Sequence, residues 1–374
     1  MEQVILELPD APQAALLDGA IALALATSAP LFLAGPLDGA DLEVLLAAAS
    51  LSGEPAALDA ARASCVQKHP PPIALPPARP GTHRLALREP GSVSRIVTAL
   101  SWPLALLGRP SEWRLSGPNH CAGFPGFHDL NLAWAVQAAA FGLRVRLELG
   151  GAAFEGDAPE KGELLVGLDP APALTPLRLS HRGLLRQVTL LGASGADAHE
   201  ETASALACAL RKLRRRGVNA ESRRVPLPVD DSRAQPSSRR WALTAVAEFE
   251  HSVVSVSAIP FARAAEDKTG GGEGSVAEQL GAQVAERLDA FLSSHGAVDF
   301  ASAERMLIPA MLCASGLGAR AGAAPPCHFT TTQVTEALVA LAGLAHRVLP
   351  VRAVIDGAPG DPGVIVVAPS AALP

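Results

Sequence analysis

The sequence predicts an α/β chain built from a repeated helix-and-sheet module, with a small α/β domain inserted between two of its copies. Three observations carry this. Strand-like and helix-like patterns alternate along the chain. The stretches FGLRVRLEL…GELLVGL and AHRVLPVRAVI…GVIVVAP each run from a helix end through strand, turn and strand, and a third copy is expected over 1–80. Between the second and third copies lies a segment of different character, 183–270, which is arginine-rich and closes on TGGGEG. The expected domains are therefore 1–182 for the first two units, 183–270 for the insertion and 271–374 for the third unit.

Composition sets the outer limits. At 374 residues, two or three domains are expected. Hydrophobic residues make up 49% and charged ones 18%, which permits a large core and excludes a disordered chain. The formal charge of −6 gives no bulk attraction for nucleic acid, so any such contact must be local. The apolar stretch Ala14 to Ala34 contains Asp18 and Pro30 and follows acids instead of a basic region, which fits neither a signal peptide nor a membrane span. Cys65, Cys121, Cys208, Cys313 and Cys327 form no C-x-x-C pair. A protein of the reducing cytoplasm, away from membranes, is expected.

The middle unit begins with a strand at Arg84 to Arg88. A helix then runs from Ser92, a good N-cap residue, to about Gly108, with Pro103 expected to kink or shorten it. A strand at Glu112 to Ser116 leads through GPNHCAGFPG to a helix over Phe127 to Phe141, stopped at Gly142. A hairpin with arms Arg144 to Leu149 and Glu163 to Leu168 closes the unit.

In the insertion, Leu185 to Leu191 is a strand, and a helix opens at Asp197 with Glu200 three residues on. That helix ends in ALRKLRRRG. After the polar stretch PVDDSRAQPSSRR come strands at Trp241 to Phe249 and Ser252 to Ile259. The third unit is expected to open with a helix over Ser275 to Ser294, where Ser275 and Glu278 form a capping box. Met306 to Ala314 is an apolar run without clear period. A helix over Thr332 to Ala345 and a hairpin, Pro350 to Ile355 and Val364 to Val367 turned by GAPGDPG, complete it.

Among residues able to carry chemistry, PPCHFTTT stands out. It puts His328 in a loop just before a helix, where the positive end of the dipole favours neutral, nucleophilic imidazole and free N–H groups suit a phosphate. The plain alternative is a structural or exposed loop histidine. Cys327 is expected to be buried packing. His120, Cys121 and His128 fit no zinc spacing and are expected to be structural. The glycine run 270–274 lacks the Lys and Ser/Thr of a P-loop and is expected to be a hinge. Arg211, Lys212, Arg214, Arg215 and Arg216 crowd one helix end, with Arg223 and Arg224 nearby. They form either a solvated face complementing the helix dipole or an RNA backbone contact.

These pieces, in this order, resemble the RNA 3'-terminal phosphate cyclases over about residues 83 to 180 and 275 to 367. GSVSRIVTALSWPLALLGRPSEWRLSGPN is similar to the family's G-S…P-x-L segment leading to S-G-G-T, and LSHRG to the E-R-G that precedes its inserted domain. VAEQLGAQVAERLDAFLSSHGAVDFASAERMLIPAMLCASG resembles its A-E-x-V helix followed by D-Q-L-x-x-P-x-A-L-A-x-G. CHFTTT resembles its H-x-x-T-N, with His328 at the histidine.

The resemblance implies three repeated units, each of two helices and a four-stranded sheet, with one inserted small α/β domain. It also implies that His328 attacks the α-phosphate of ATP, aided by a divalent metal (Mg or Mn), releasing pyrophosphate and leaving a His-AMP adduct. AMP would then pass to an RNA 3'-phosphate end, and the vicinal 2'-hydroxyl would displace it to give the 2',3'-cyclic phosphate. Glu304, Arg305 and Thr331 would touch the nucleotide, and a protein of this fold without activity would keep only an RNA- or RNP-binding role. Several motif positions differ. LELPDAPQAALLDGAIALALATSAP and GPLDGADLEVLL replace the glycine- and arginine-rich opening motifs, with Asp18 where an arginine is expected. The middle-unit Gln is Thr98, Asp-Gln is Glu304-Arg305, and the Asn of H-x-x-T-N is Thr332.

Overall fold

Helix α1 (Ala14–Thr27) is apolar on nearly every side, and Leu17, Ile21 and Leu23 are fully buried. A helix with no polar face has to sit inside the protein, and this one lies at its centre. The computed structural model describes residues 6–8, 13–33, 37–53, 56, 59, 73–87, 91–155, 157, 162–229, 240–260, 275–317 and 325–372. Cys65, the TGGGEG stretch and most of PVDDSRAQPSSRR lie outside them.

Among the described residues the chain is mixed α/β, with three four-stranded sheets and one small two-stranded sheet. In the small sheet β1 (Leu6–Leu8) runs parallel to β2 (Leu31–Leu33), and Leu31 bridges antiparallel to Ile73. Helix α2 (Gly39–Ser52) follows, capped by Asp38, whose carboxylate accepts from the Asp41 N–H at 2.8 Å.

The second sheet pairs β3 (Thr82–Ala86) parallel with β4 (Ser111–Ser116). β4 is antiparallel to β6 (Glu163–Leu168), and β6 to β5 (Val145–Gly151). Helix α3 (Val93–Ala105) joins β3 to β4. Pro103 falls in its last turn, where it costs one backbone bond and leaves the helix intact. The helix over 127–140, α4, joins β4 to β5. It is α-helical at Phe127–Asp129 and Ala135–Ala140, with a π turn, Leu130–Trp134, between.

The third sheet pairs β7 (Arg178–Leu179) parallel with β12 (Cys327–Thr331). β12 is antiparallel to β14 (Gly363–Pro369), and β14 to β13 (Val351–Asp356). Its helices are α7 (Phe300–Ser315) and α8 (Glu336–Ala345). The run Met306 to Ala314 lies within α7 and is buried on all sides, which is why it shows no period. Helix α1 packs against α2, α3, α7 and α8 at once.

The last sheet has the order β11-β10-β8-β9. Its elements are β8 (Leu185–Ser194), α5 (His199–Arg215), β9 (Glu221–Pro226), β10 (Trp241–Phe249) and β11 (Val253–Ala258). One turn of 3-10 helix, Ala196–Ala198, holds Asp197, so the expected cap at Asp197 does not form. Helix α6 (Val276–Ser293) does carry the Ser275/Glu278 capping box. It packs on this sheet and on α5 rather than with the third sheet: Ala277, Val284, Leu288 and Phe291 share one core with Val188, Leu213 and Trp241. α6 thus shares its core with residues on the other side of the boundary expected at 270. α5 and α6 touch so closely that a Cβ on Gly281 would lie 2.3 Å from the Ala205 carbonyl oxygen.

This segment meets the rest of the chain on its other sheet face. Ala193 and Ala242 pack on Ala152 and Phe154, and the buried pair Arg240–Asp157 spans the junction at 3.2 Å. Where the chain enters and leaves, the Arg182 guanidinium donates to the carbonyls of Phe291, Leu292 and Ser294 at 2.7–2.8 Å. It also lies over the rings of Phe249 and Phe291. Among the described residues no helix is long and apolar enough to cross a membrane.

Candidate functional site

Three helices, α1, α3 and α7, converge beside the loop 123–125 and enclose a cavity of about 210 Å³. Small side chains on α1 (Ala15, Gly19, Ala22) leave the space, and Trp102, Phe124 and Ile308 wall it. The polar side chains reaching it are Asp18, Arg95, Thr98, Glu304 and Arg305. A second cavity, about 440 Å³, adjoins it across Phe124, Phe300 and Arg305. Ser255, Ser257, Arg287, Asp299, Thr332 and Gln333 are among its lining.

The charges at the first cavity are largely closed on themselves. Arg95, 3% exposed, donates through Nε to both Asp18 oxygens at 2.8 and 2.9 Å, and its Nη2 lies 2.6 Å from Asp41. Phe124 lies over the guanidinium at 5.5 Å. Two carboxylates share one cation inside the protein. Burial therefore outweighs the shared attraction and lifts Asp18 to about 6. The Asp41 carboxyl also goes up, chiefly by burial, while Arg95 is held further into its charged form by the two acids. Burial raises Glu304 too, against the 2.6 Å bond it accepts from the Thr335 hydroxyl.

His328 stands elsewhere. PPCHFTTT was expected to be a loop leading into a helix at Thr332, but residues 327–331 form β12 and α8 begins only at Glu336, capped by Thr335. His328 is thus held at mid-sheet, between Arg178 of β7 and Val366 of β14, and feels no helix terminus. The two-residue strand period turns Cys327, Phe329 and Thr331 into the core and leaves His328 and Thr330 half-buried on the other face. Its Nδ1 lies 3.2 Å from the Ser180 hydroxyl. It lines neither cavity. Thr331 is buried, with its hydroxyl bonded to the Gln333 backbone. Of the four residues expected at a nucleotide, Glu304 and Arg305 share a cavity, while His328 and Thr331 stand apart from it.

The basic run divides. Arg211, Lys212 and Arg216 pair with Glu278, Glu286 and Asp289 of α6. Arg214 and Arg215 are exposed and have no acidic partner among the described residues. His120 is buried, with Nδ1 bonded to Asn119 and the ring stacked on Phe154, while Nε2 has no partner among the described residues. Cys327 is buried against Cys313, as expected. Among the described residues no three His, Cys, Asp or Glu side chains gather as a metal site. The acids nearest the first cavity are already engaged by Arg95 and Thr335, so this donor set does not fit a resident divalent ion.

The Asp18–Arg95–Asp41 cluster was not anticipated. Its signal was an arginine and an aspartate set singly inside otherwise apolar helical runs, where a charge needs a partner. No family model matches the chain, and no curated protein matches it.

Proposed function

We propose that this chain is a cyclase-like RNA-binding protein that contacts RNA through the arginine face of the 184–293 segment and does not adenylate itself. In this reading the architecture is three units of one topology with that segment inserted in the third. The support lies in the strand pairings. β3-β4-β6-β5 and β7-β12-β14-β13 both follow the order parallel, antiparallel, antiparallel, and β1, β2 and Ile73 repeat its first two steps. The segment lies between β7 and α7, where the second sheet has only the short stretch 87–92 between β3 and α3.

The observation that carries RNA binding is a groove of about 280 Å³ between α5, β8 and the turn at 218–221, lined by Arg186 and Arg214 and by Glu221, whose carboxylate pairs with Arg223 and accepts from Gln187. Arg215 and Arg224 are exposed nearby in sequence. None of these four has an acidic partner among the described residues. Unpaired guanidinium forks on a chain of net charge −6 suit phosphates, each of which releases counterions when bound.

A labelled single-stranded oligoribonucleotide, titrated by fluorescence anisotropy at several salt concentrations, tests this. Arg214→Ala with Arg215→Ala should lower the slope of log affinity against log salt by about 1.4, at roughly 0.7 per phosphate contact. Oligonucleotides ending in 3'-phosphate and in 3'-hydroxyl should bind alike. Affinity and slope indifferent to the two changes would remove RNA from the reading.

Cyclase activity keeps one observation in its favour, the shared cavity of Glu304 and Arg305. Against it stand His328, which lines neither cavity, and Arg95, whose charge two acids already neutralise. Incubation with labelled ATP and Mg or Mn should leave no acid-labile AMP on the protein. An adduct that disappears in His328→Ala would restore the enzyme reading.

A further inference from the structure

Resting on the RNA-binding reading, we infer that the arginine face of the 184–293 segment docks on double-stranded RNA in preference to a single strand, through its phosphates and 2'-hydroxyls. The segment's aromatic rings are turned inward. Trp241, Phe249 and Phe291 are at most 7% exposed and belong to its core, and the sequence contains no tyrosine. Phe261 lies outside the described residues. Proteins that hold single strands stack the bases on exposed rings, whereas these rings serve the hydrophobic interior.

The free cations are spread along regular elements. Arg214 and Arg215 end α5, and Arg186, at the start of β8, lines the groove with Arg214. Arg224 on β9 pairs in register with Gly192, where a Cβ would meet Thr202 and Leu206 of α5. Paired residues of neighbouring strands share a face, so Arg224 lies on the α5 side of the sheet. Gly192 is four residues along β8 from Val188, which lines the groove, a distance of about 13 Å. Such a face suits a partner whose phosphates are already fixed in place. A single strand would have to be ordered to reach both ends, without the stacking that offsets that cost. A duplex arrives ordered, with a row of phosphates on each side of its grooves.

The turn beside the groove supplies a group for the sugar. Asn219, in the turn that follows Gly217, is exposed, lines the groove and has no partner among the described residues. Ser222, exposed on β9, stands between it and Arg224, while Glu221 is engaged by Arg223 and Gln187. An amide both donates and accepts, as a 2'-hydroxyl does. The wide, shallow minor groove of an RNA helix displays its 2'-hydroxyls, which DNA lacks. Arginines for the phosphates and an amide for the ribose fit that groove.

Fluorescence anisotropy of the full chain with three probes of one sequence and length tests the assignment: an RNA duplex, its single strand and the DNA duplex. The RNA duplex should bind about tenfold more tightly than the single strand at the same salt concentration, since it needs no ordering. Arg214→Ala with Arg224→Ala should lower the duplex slope of log affinity against log salt by about 1.8, at roughly 0.9 per phosphate contact. Asn219→Ala should leave that slope unchanged and cut the preference for RNA over DNA duplex about fivefold, the loss of one neutral hydrogen bond. All three positions are exposed, so the variants should fold, which unchanged thermal midpoints would verify. A single strand bound as tightly as the RNA duplex, equal binding of RNA and DNA duplexes, or duplex binding indifferent to these changes would overturn the inference and leave RNA binding standing. Failure of every probe to bind would remove the RNA reading as well.

Discussion

Arg95→Ala should destabilise the protein by about 3–5 kcal/mol at pH 8, the loss expected when one partner of a buried ion cluster is removed. The guanidinium, 3% exposed, is the cation that offsets Asp18 and Asp41, whose side chains are 18% and 14% exposed. The cost should shrink toward pH 5. The abandoned carboxyls then take up protons in the folded state, and Asp18 already has its pKa at about 6 with the arginine present. Arg95→Met combined with Asp18→Asn and Asp41→Asn should recover most of the loss, since nothing charged is left unpaired. Urea denaturation of the three proteins at pH 5 and pH 8 measures all of this. A small, pH-independent effect of Arg95→Ala would show that the cluster is not the buried unit described.

The second large effect concerns His120. Burial, with His128 nearby, lowers its pKa to about 3 from an ordinary 6.5. Below pH 6.5 the unfolded chain therefore binds a proton that the folded chain refuses. Stability carried by this residue is complete above pH 6.5 and falls as pH drops toward 3, by about 1.4 kcal/mol per pH unit once the unfolded ring is fully charged. Over the whole window the loss is on the order of 5 kcal/mol. His128, pushed the same way by burial, adds to it.

Asp18, Asp41 and Glu304 work in the opposite direction. Their raised folded values make the folded state the better proton acceptor, so they favour the fold as pH falls. The slope of the wild type alone is therefore not the readout; its difference from His120→Phe is. That variant keeps a ring against Phe154 but cannot be protonated, and it should lose less stability than wild type between pH 7 and pH 5. Parallel pH profiles for the two proteins would show that the ring titrates normally in the fold.

The hairpins were legible because short β-branched or apolar runs are separated by turn residues. VRLEL alternates strictly, ELLVGL, VRAVI and GVIVV are short apolar runs rich in Val and Ile, and both pairs form as expected. Helices wholly inside the protein were not legible in the same way. In AALLDGAIALALAT no face differs from another, so α1 gave hydrophobicity without a period, and the apolar half of α7 did the same. Strand β9, ESRRVP, is an exposed edge and carries almost no apolar signal.

β12 carried its signal in plain view, since CHFTT alternates and is rich in Thr, but its prolines and the histidine directed the reading toward a loop. Glu304 and Arg305, neighbours in sequence, line one cavity. The contacts that joined Arg95 to Asp18 and Asp41, or Gln137 to Val253, depend on tertiary approach between distant parts of the chain, which a local pattern does not encode. The partner of α6 is a similar case: its capping box fixed where the helix starts and could not tell which sheet it would cover.

Arg182 gathers the strand that leaves for residue 184 and the chain that returns at 294 into a single knot of hydrogen bonds. The chain from β8 to α6 leaves and returns at that knot, has a hydrophobic interior of its own, and also packs its other sheet face on Ala152 and Phe154. Bridging residues 182 and 294 with a few residues would leave the connectivity of β7, β12 and the helices around α1 uncut, while uncovering Ala152 and Phe154. Exposed side chains on α5 and β9 can change without touching the helices packed around α1.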